Sequence, residues 1–141
     1  MQHARKRGLF AWALYDWANS SFATVIQTFV FAAYFMRRVA PDDTSGSSLW
    51  GLSVGIGSLS VAVAAPIFGA IADQKGRRKP WLGAWTFLCV TMTLLLWFIP
   101  PSSSAVIPAM VLHWLATLGA GLAVVFYNAM LPTLADRKRI G

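Results

Sequence analysis

The chain has 141 residues, of which 57% are hydrophobic and only 12% are charged. A soluble domain usually carries about 25% charged residues, so this sequence has too little polar surface to cover a globule. Its net charge of +7 comes from basic residues in short clusters between long apolar runs, a pattern that favours membrane topology over nucleic-acid binding. The single cysteine, Cys89, lies in an apolar run, where we predict a buried packing role and neither an intrachain disulfide nor a cysteine metal site.

Four apolar segments are long enough to cross the roughly 30 Å of bilayer hydrocarbon as helices. Their hydrophobic residues are continuous rather than alternating, which argues against membrane-spanning strands. The first segment is too long for a signal peptide and is predicted to be an uncleaved span. We therefore predict an all-α membrane protein with one transmembrane domain over residues 1–141. The predicted spans cover residues 9–36, 49–72, 81–99 and 106–131.

The orientation of the spans follows from the distribution of Lys and Arg. Three basic residues lie at 5–7, four lie at 75–79 and three lie at 137–139. The other predicted side has only Arg37 and Arg38. Because short loops rich in Lys and Arg stay in the cytoplasm, we predict that both termini are cytoplasmic.

The first span carries polar residues within the predicted membrane region, namely Asp16, Asn19, Ser20 and Gln27. Their spacing predicts a single helix face. An ionised side chain near the bilayer centre costs at least about 2.5–3.5 kcal/mol, so this polar stripe should face other helices or a water-filled pathway. One interpretation is a substrate or ion pathway in which Asp16 is the ionisable member. The alternative is a packing stripe with Asp16 near the cytoplasmic interface.

A stripe of small residues follows one face of the second span. Small residues allow helix backbones to approach closely in a membrane, so this face is predicted to pack against another helix. Gly119 and Gly121 in the fourth span are predicted to serve the same purpose. The stripe comprises Gly51, Gly55, Ser58, Ala62, Pro66 and Gly69.

The loop between the second and third spans contains a spaced set of glycine, aspartate and arginine residues. In order they are Gly69, Asp73, Gly76, Arg77 and Arg78. This segment resembles the signature loop of the major facilitator superfamily, G-x-x-x-D-x-x-G-R-R/K-x, at the expected place after two spans. The resemblance implies that Asp73 acts as a latch on the N-terminal end of a helix from the other half of the transporter, with Arg77 and Arg78 as its companions. A carboxylate is favoured at such a helix end.

Two further segments, residues 12–23 and 126–132, resemble the autophagy-related vacuolar amino-acid effluxers and their bacterial relatives. This narrower resemblance implies a transporter of small solutes such as amino acids, working by alternating access, with Asn128 beside the pathway. It also implies a twelve-helix protein, so we expect this chain to be an N-terminal fragment of one six-helix bundle. The expected partners are the lipid bilayer, a small-molecule substrate, and the missing C-terminal helices or another copy. We expect a bacterial inner-membrane location.

Two features depart from the family pattern or leave the function open. Leu115 stands where many proton-coupled members carry an arginine, so Asp16 remains the candidate for coupling, and His113 is predicted to be an interfacial hydrogen-bonding residue. The alternatives are a four-helix protein acting as a dimeric small exporter, or a non-transporting membrane scaffold. No arrangement of residues suggests an enzyme, a cofactor, a metal site or a nucleic-acid partner.

Overall fold

The computed structural model describes residues 2–75 and 78–134, without the side chains of residues 2–9, 12, 73, 75 and 131–134. Within these residues the chain is helical and contains no strand, which confirms the predicted all-α class. The helices are α1 (Gln2–Ser21), α2 (Val30–Tyr34), α3 (Asp43–Lys75), α4 (Arg78–Leu96) and α5 (Val106–Leu134). Two π-helical segments flank α2, namely π1 (Phe22–Phe29) and π2 (Phe35–Val39).

The N-terminal segment is one uninterrupted run of helical residues from α1 to the end of π2. At the end of π1 the amide of Val30 donates to the carbonyl of Val25, five residues earlier, instead of the usual four. Such wide turns are rare and change which side chains share a face. The 3.6-residue spacing used to predict the polar stripe therefore does not apply across residues 22–29.

Three helical regions in the described part of the chain are long and apolar enough to span a bilayer, and they cover Asp43–Ala72, Arg78–Leu96 and Ser103–Met130. They contain most of the second, third and fourth predicted spans. The N-terminal segment is not among them, because the π-turns divide it and α1 begins with charged residues. Its assignment as a span remains a prediction.

Helix α5 lies at the centre of the bundle and packs most extensively on α4 and then on α3. Glycines make this close contact possible. A Cβ at Gly119 would come within 2.8 Å of the backbone nitrogen of Cys89, and one at Gly121 would come within 2.5 Å of a Val61 methyl. The two glycines thus serve two different neighbours, α4 and α3, from nearly opposite faces of α5, because residues two apart on a helix point about 200° apart.

One end of the bundle is held by a buried apolar cluster. It joins the end of the N-terminal segment, the beginning of α3, the end of α4 and the beginning of α5. The up-and-down order of the helices brings these sequence-distant pieces to one end. The cluster comprises Phe31, Ala32, Phe35, Val39, Trp50, Leu96, Ile99, Ala105 and Ala109.

At the opposite end, aromatic rings join α3, α4 and α5. Phe68 packs edge-on against Trp85, with ring centroids 4.9 Å apart, and Trp81 stacks on Phe126 at 6.1 Å. These contacts fix the beginning of α4 against its neighbours. They therefore fix Arg78, where α4 begins, relative to α5.

Asp42 caps the N-terminus of α3. Its carboxylate accepts hydrogen bonds from the backbone amide and the hydroxyl of Ser45, at 2.8 and 2.7 Å. A side-chain acceptor at this position satisfies an amide that has no partner within the helix. The same bonds, the backbone one first, hold the pKa of the Asp42 carboxyl below its usual range.

Because the folded-state pKa is depressed, this contribution to stability is present above the unfolded-state pKa of about 3.9 and is lost as the pH falls through the folded value. We expect Asp42→Asn to retain a cap at pH 7 but to show a shallower loss of melting temperature below pH 4. Thermal unfolding in detergent between pH 7 and pH 3 measures this. Asp43→Asn removes a charge from the same turn and is the control; an equal change in slope would contradict the assignment to Asp42.

Candidate functional site

A stacked pair of tyrosines joins α1 to α5 beside the predicted acidic residue. The rings of Tyr15 and Tyr127 lie 5.1 Å apart at an angle of 29°, and the Tyr15 hydroxyl is 2.7 Å from the Thr86 hydroxyl of α4. Asp16, the residue after Tyr15 in α1, is exposed. Asn128, the residue after Tyr127, is also exposed.

An open cleft of about 430 Å³ lies between the N-terminal segment and α4, with α5 behind it. Its size falls in the range of small-molecule sites, about 300–1,000 Å³. Polar groups on its walls include Tyr15, Asn19, Thr86 and Thr93. The rest of the lining is mainly apolar. Asn19 therefore lies among apolar side chains, close to the point where α1 meets π1.

A chain of polar groups, buried except at the half-buried Gln27, crosses from the N-terminal segment to α5 and α3. The Gln27 side-chain amide donates to Thr117 Oγ1 at 3.2 Å, and Thr117 Oγ1 lies 3.4 Å from His113 Nε2. On the other side of the ring, His113 Nδ1 lies 2.8 Å from Ser53 Oγ. The indole N–H of Trp50 donates to the Gln27 carbonyl at 3.2 Å, and its ring lies over His113 with centroids 4.2 Å apart.

The chain of polar groups contributes little to stability compared with the packing around it. Interhelical hydrogen bonds inside a membrane protein average about 0.6 kcal/mol each. Burying a large ring such as that of Trp50 contributes more to stability, because the ring packs a large apolar surface against its neighbours. The main effect of the polar chain is geometric, because a satisfied network fixes side chains in one arrangement.

The structure does not place the four predicted polar residues on one surface. Asp16 and Ser20 are exposed, and the Ser20 hydroxyl donates to the Asp16 backbone carbonyl, four residues earlier. Asn19 lines the cleft, whereas Gln27 turns to Thr117 of α5. The π-turns of π1 change the number of residues per turn between Asn19 and Gln27, which separates them.

The signature loop is described only in part. Gly69 lies in α3, where an added Cβ would meet nothing within 4 Å among the described residues, and the guanidinium of Arg78 donates to the Ala129 carbonyl of α5. The side chain of Asp73 and the whole of Gly76 and Arg77 lie outside the described residues. Their predicted roles as latch and companion remain predictions.

The predicted packing glycines have different surroundings. Gly119 and Gly121 of α5 lie against α4 and α3, as given above. A methyl group on Gly51 or Gly55 would meet nothing within 4 Å in the part of the chain that the structure describes. Another glycine of α3, Gly57, was not predicted, yet a methyl group there would lie 2.9 Å from a Thr117 methyl.

Among the described residues, the most buried polar side chain was placed wrongly from the sequence. His113 was predicted to be interfacial, but it is fully buried between α3 and α5. The reason is that Ser53 and Thr117 supply hydrogen-bond partners inside the bundle, so the ring does not need water. Thr117 lies four residues after His113 on the same helix face, a spacing that signals a shared environment. Cys89 is buried, as predicted.

The helices and their exposed apolar faces define an integral membrane protein. Phe87, Trp97 and Phe98 have about three-quarters or more of their surface exposed, at 73%, 87% and 76%. Large apolar side chains exposed in such numbers are typical of surfaces that face lipid or further helices. Over its whole length, residues 1–141, the sequence matches the family model of the Major Facilitator Superfamily.

The chain therefore belongs to the Major Facilitator Superfamily, a family of membrane transporters. It is 31% identical over 133 residues to an uncharacterized MFS-type transporter, YxiO, of Bacillus subtilis strain 168. The match covers 92% of this chain and 31% of that protein, so the chain spans about a third of the relative's length. No solved structure is matched.

Proposed function

We propose that this chain forms the N-terminal part of a secondary transporter that moves a small solute, such as an amino acid, by alternating access. Membership of the transporter family supports the class. The observation that carries the site is the stacking of Tyr15 on Tyr127 next to the exposed Asp16, which follows Tyr15 in α1. A carboxylate next to aromatic rings suits a cationic group such as an ammonium.

The pathway in this proposal runs along the exposed side of α1 and α5. Asp16 binds the cationic group or a coupling proton, and Asn128 offers a neutral amide next to Tyr127. Ser20 and Asn19 lie one turn further along α1, and Gln27 lies deeper, against α5. The second half of the transporter completes the pathway, because a site between two halves needs both.

The loop after α3 serves as the gate in this proposal. Asp73 holds one conformation by contacting a helix N-terminus of the other half, and Arg77 and Arg78 support it electrostatically. The Arg78 contact with the Ala129 carbonyl ties the described side of this loop to α5. Gly76 provides the turn that the loop requires, and Gly69 leaves the end of α3 open to close approach by a helix outside the described residues.

The basic loops and the two shorter resemblances extend the proposal to location and branch. Because Lys and Arg are concentrated at 5–7, 75–79 and 137–139, both termini lie in the cytoplasm. The segments 12–23 and 126–132 favour the amino-acid effluxer branch, and the relative in Bacillus supports a bacterial plasma membrane.

The test is transport by a full-length protein containing this sequence, reconstituted in liposomes and assayed with a panel of radiolabelled amino acids. We expect Asp16→Asn to lower the rate by about 10–100-fold, since a hydrogen bond to a charged group contributes about 1.5–3 kcal/mol. Asp16→Glu keeps the charge and should retain part of the activity. Wild-type flux in Asp16→Asn, with normal membrane insertion, would refute the role of the carboxylate.

A further inference from the structure

The polar chain from Gln27 to Ser53 contains three buried groups, Thr117, His113 and Ser53, that no step described so far uses. It connects three separate elements, because Gln27 lies in π1, His113 and Thr117 lie in α5, and Ser53 lies in α3. His113 has no exposed surface, Ser53 is 2% exposed and Thr117 is 6% exposed. A polar cluster so well buried requires its groups to satisfy one another.

Donors and acceptors can be assigned along the chain in order from Gln27 to Ser53. Thr117 Oγ1 accepts the Gln27 amide proton, so its own proton can be donated to His113 Nε2. A neutral imidazole then carries its proton on Nδ1 and donates it to Ser53 Oγ. The direction of the Gln27 amide is thereby tied to the tautomer of a ring on another helix.

Gln27 is held from a second side as well. Its backbone carbonyl accepts the indole proton of Trp50, and the Trp50 ring covers the His113 ring. Gly57 leaves room for the Thr117 methyl group, which a Cβ added to this glycine would approach to 2.9 Å. The position of Thr117, and with it the partner of Gln27, is thus set by the fit between α3 and α5.

We propose that His113 is a positioning residue that acts through Thr117 to fix the side-chain amide of Gln27 at the solute pathway. The placement of Gln27 on that pathway rests on the proposed function. His113 does not touch the solute in this arrangement. It holds the Thr117 hydroxyl in the orientation that accepts the Gln27 proton, so the amide oxygen of Gln27 remains available in one fixed direction.

The test reads the Gln27 side chain directly. Selective ¹⁵N labelling of glutamine side chains is applied in detergent micelles to the full-length protein containing this sequence, in which residues 1–141 contribute the amide signals of Gln2, Gln27 and Gln74. Gln27→Asn identifies one of them by its loss. We expect Thr117→Val to shift the Gln27 signal while the other two remain in place, and Thr117→Ser to restore it.

The decisive variant removes the imidazole. His113→Leu should shift the Gln27 amide signal as Thr117→Val does; if the signal does not move, Thr117 acts alone and the proposal is overturned. Should His113→Leu fail to fold, Ser53→Ala keeps the ring and removes only its Nδ1 partner. That variant should alter both the His113 ring ¹⁵N shifts and the Gln27 amide, and an unchanged amide would again overturn the proposal.

A matched pair of glycine variants separates positioning from general perturbation of α3. Gly57→Ala pushes on Thr117 without removing any polar group, and it should shift the Gln27 amide. Gly55 lies on the same helix, and a Cβ added there would meet nothing within 4 Å in the described residues. Gly55→Ala should therefore leave the Gln27 amide signal unchanged. Equal shifts in both variants would count against the proposal.

The outcome is independent of the proposed function. The spectra are recorded without a solute, so a failed transport assay with Asp16→Asn leaves the Gln27 result unaffected. A transporter that depends on Asp16 but shows an unchanged Gln27 amide in every variant would retain its function and lose this positioning role.

Discussion

Replacing Gly119 by valine is expected to lower the free energy of unfolding by about 3 kcal/mol. Even one added Cβ would lie 2.8 Å from the backbone nitrogen of Cys89 and 2.9 Å from the backbone carbonyl of Trp85. Backbone atoms within a helix cannot move aside singly, so α4 and α5 must separate. Overpacking of a core costs about 1–3 kcal/mol, and the two methyl groups of valine place this substitution at the upper end.

The higher helix propensity of alanine opposes this loss of stability, but its effect is the smaller of the two. Alanine is favoured over glycine in a helix by about 0.5–1 kcal/mol, which does not offset the clash at this position. Gly83→Ala is the matched control, because nothing in the described residues lies within 4 Å of its added Cβ. We expect stability to fall from Gly83→Ala through Gly119→Ala to Gly119→Val, as measured by unfolding free energy in mixed micelles. Equal stability of all three variants would show that α4 and α5 are not packed this closely.

Trp50→Ala is expected to have a similarly large effect at the other end of the bundle. Trp50 is 7% exposed and packs against the rings of Phe31, Phe35 and His113. Truncating a buried tryptophan to alanine costs about 3–5 kcal/mol, because the lost contacts leave a cavity. The variant also leaves the Gln27 carbonyl without the indole donor.

Two comparisons separate the ring from its hydrogen bond. Trp50→Phe keeps much of the packing and removes the indole N–H, so its loss of unfolding free energy should be the smaller one, about 1 kcal/mol or more. Trp97→Ala removes a tryptophan that is 87% exposed and should change the unfolding free energy little in detergent. A Trp50→Ala variant as stable as Trp97→Ala would contradict the central position of this ring.

The candidate site could be proposed from the sequence by its chemistry but not by its geometry. An aspartate within an apolar run is conspicuous, because the bilayer penalises charge so strongly. Its neighbours were harder to predict. Tyr127 is far from Tyr15 in the sequence, and only the packing of α1 on α5 brings the two rings together.

His113 illustrates the opposite case, in which a residue was noticed but placed wrongly. A single histidine near the end of an apolar run gives no information about its partners. Ser53 and Thr117 become its partners because α3 and α5 cross at small residues such as Gly57. Gln27 joins them because the π-turns redirect it, and the sequence contains no simple signal for a π-turn.

The sequence by itself determined that this is a helical membrane protein, where three helices long and apolar enough to span a bilayer lie, and to which family it belongs. These properties follow from the absence of water in the bilayer, which forces long apolar stretches to satisfy their backbone hydrogen bonds as helices. Only the tertiary structure decided that α5 is central, that Tyr15, next to Asp16, stacks on Tyr127, and that Gln27, Thr117, His113 and Ser53 form one hydrogen-bonded chain. The reason is that membrane helices associate through close packing and individual hydrogen bonds, whose partners depend on the faces and crossing points of whole helices rather than on local spacing.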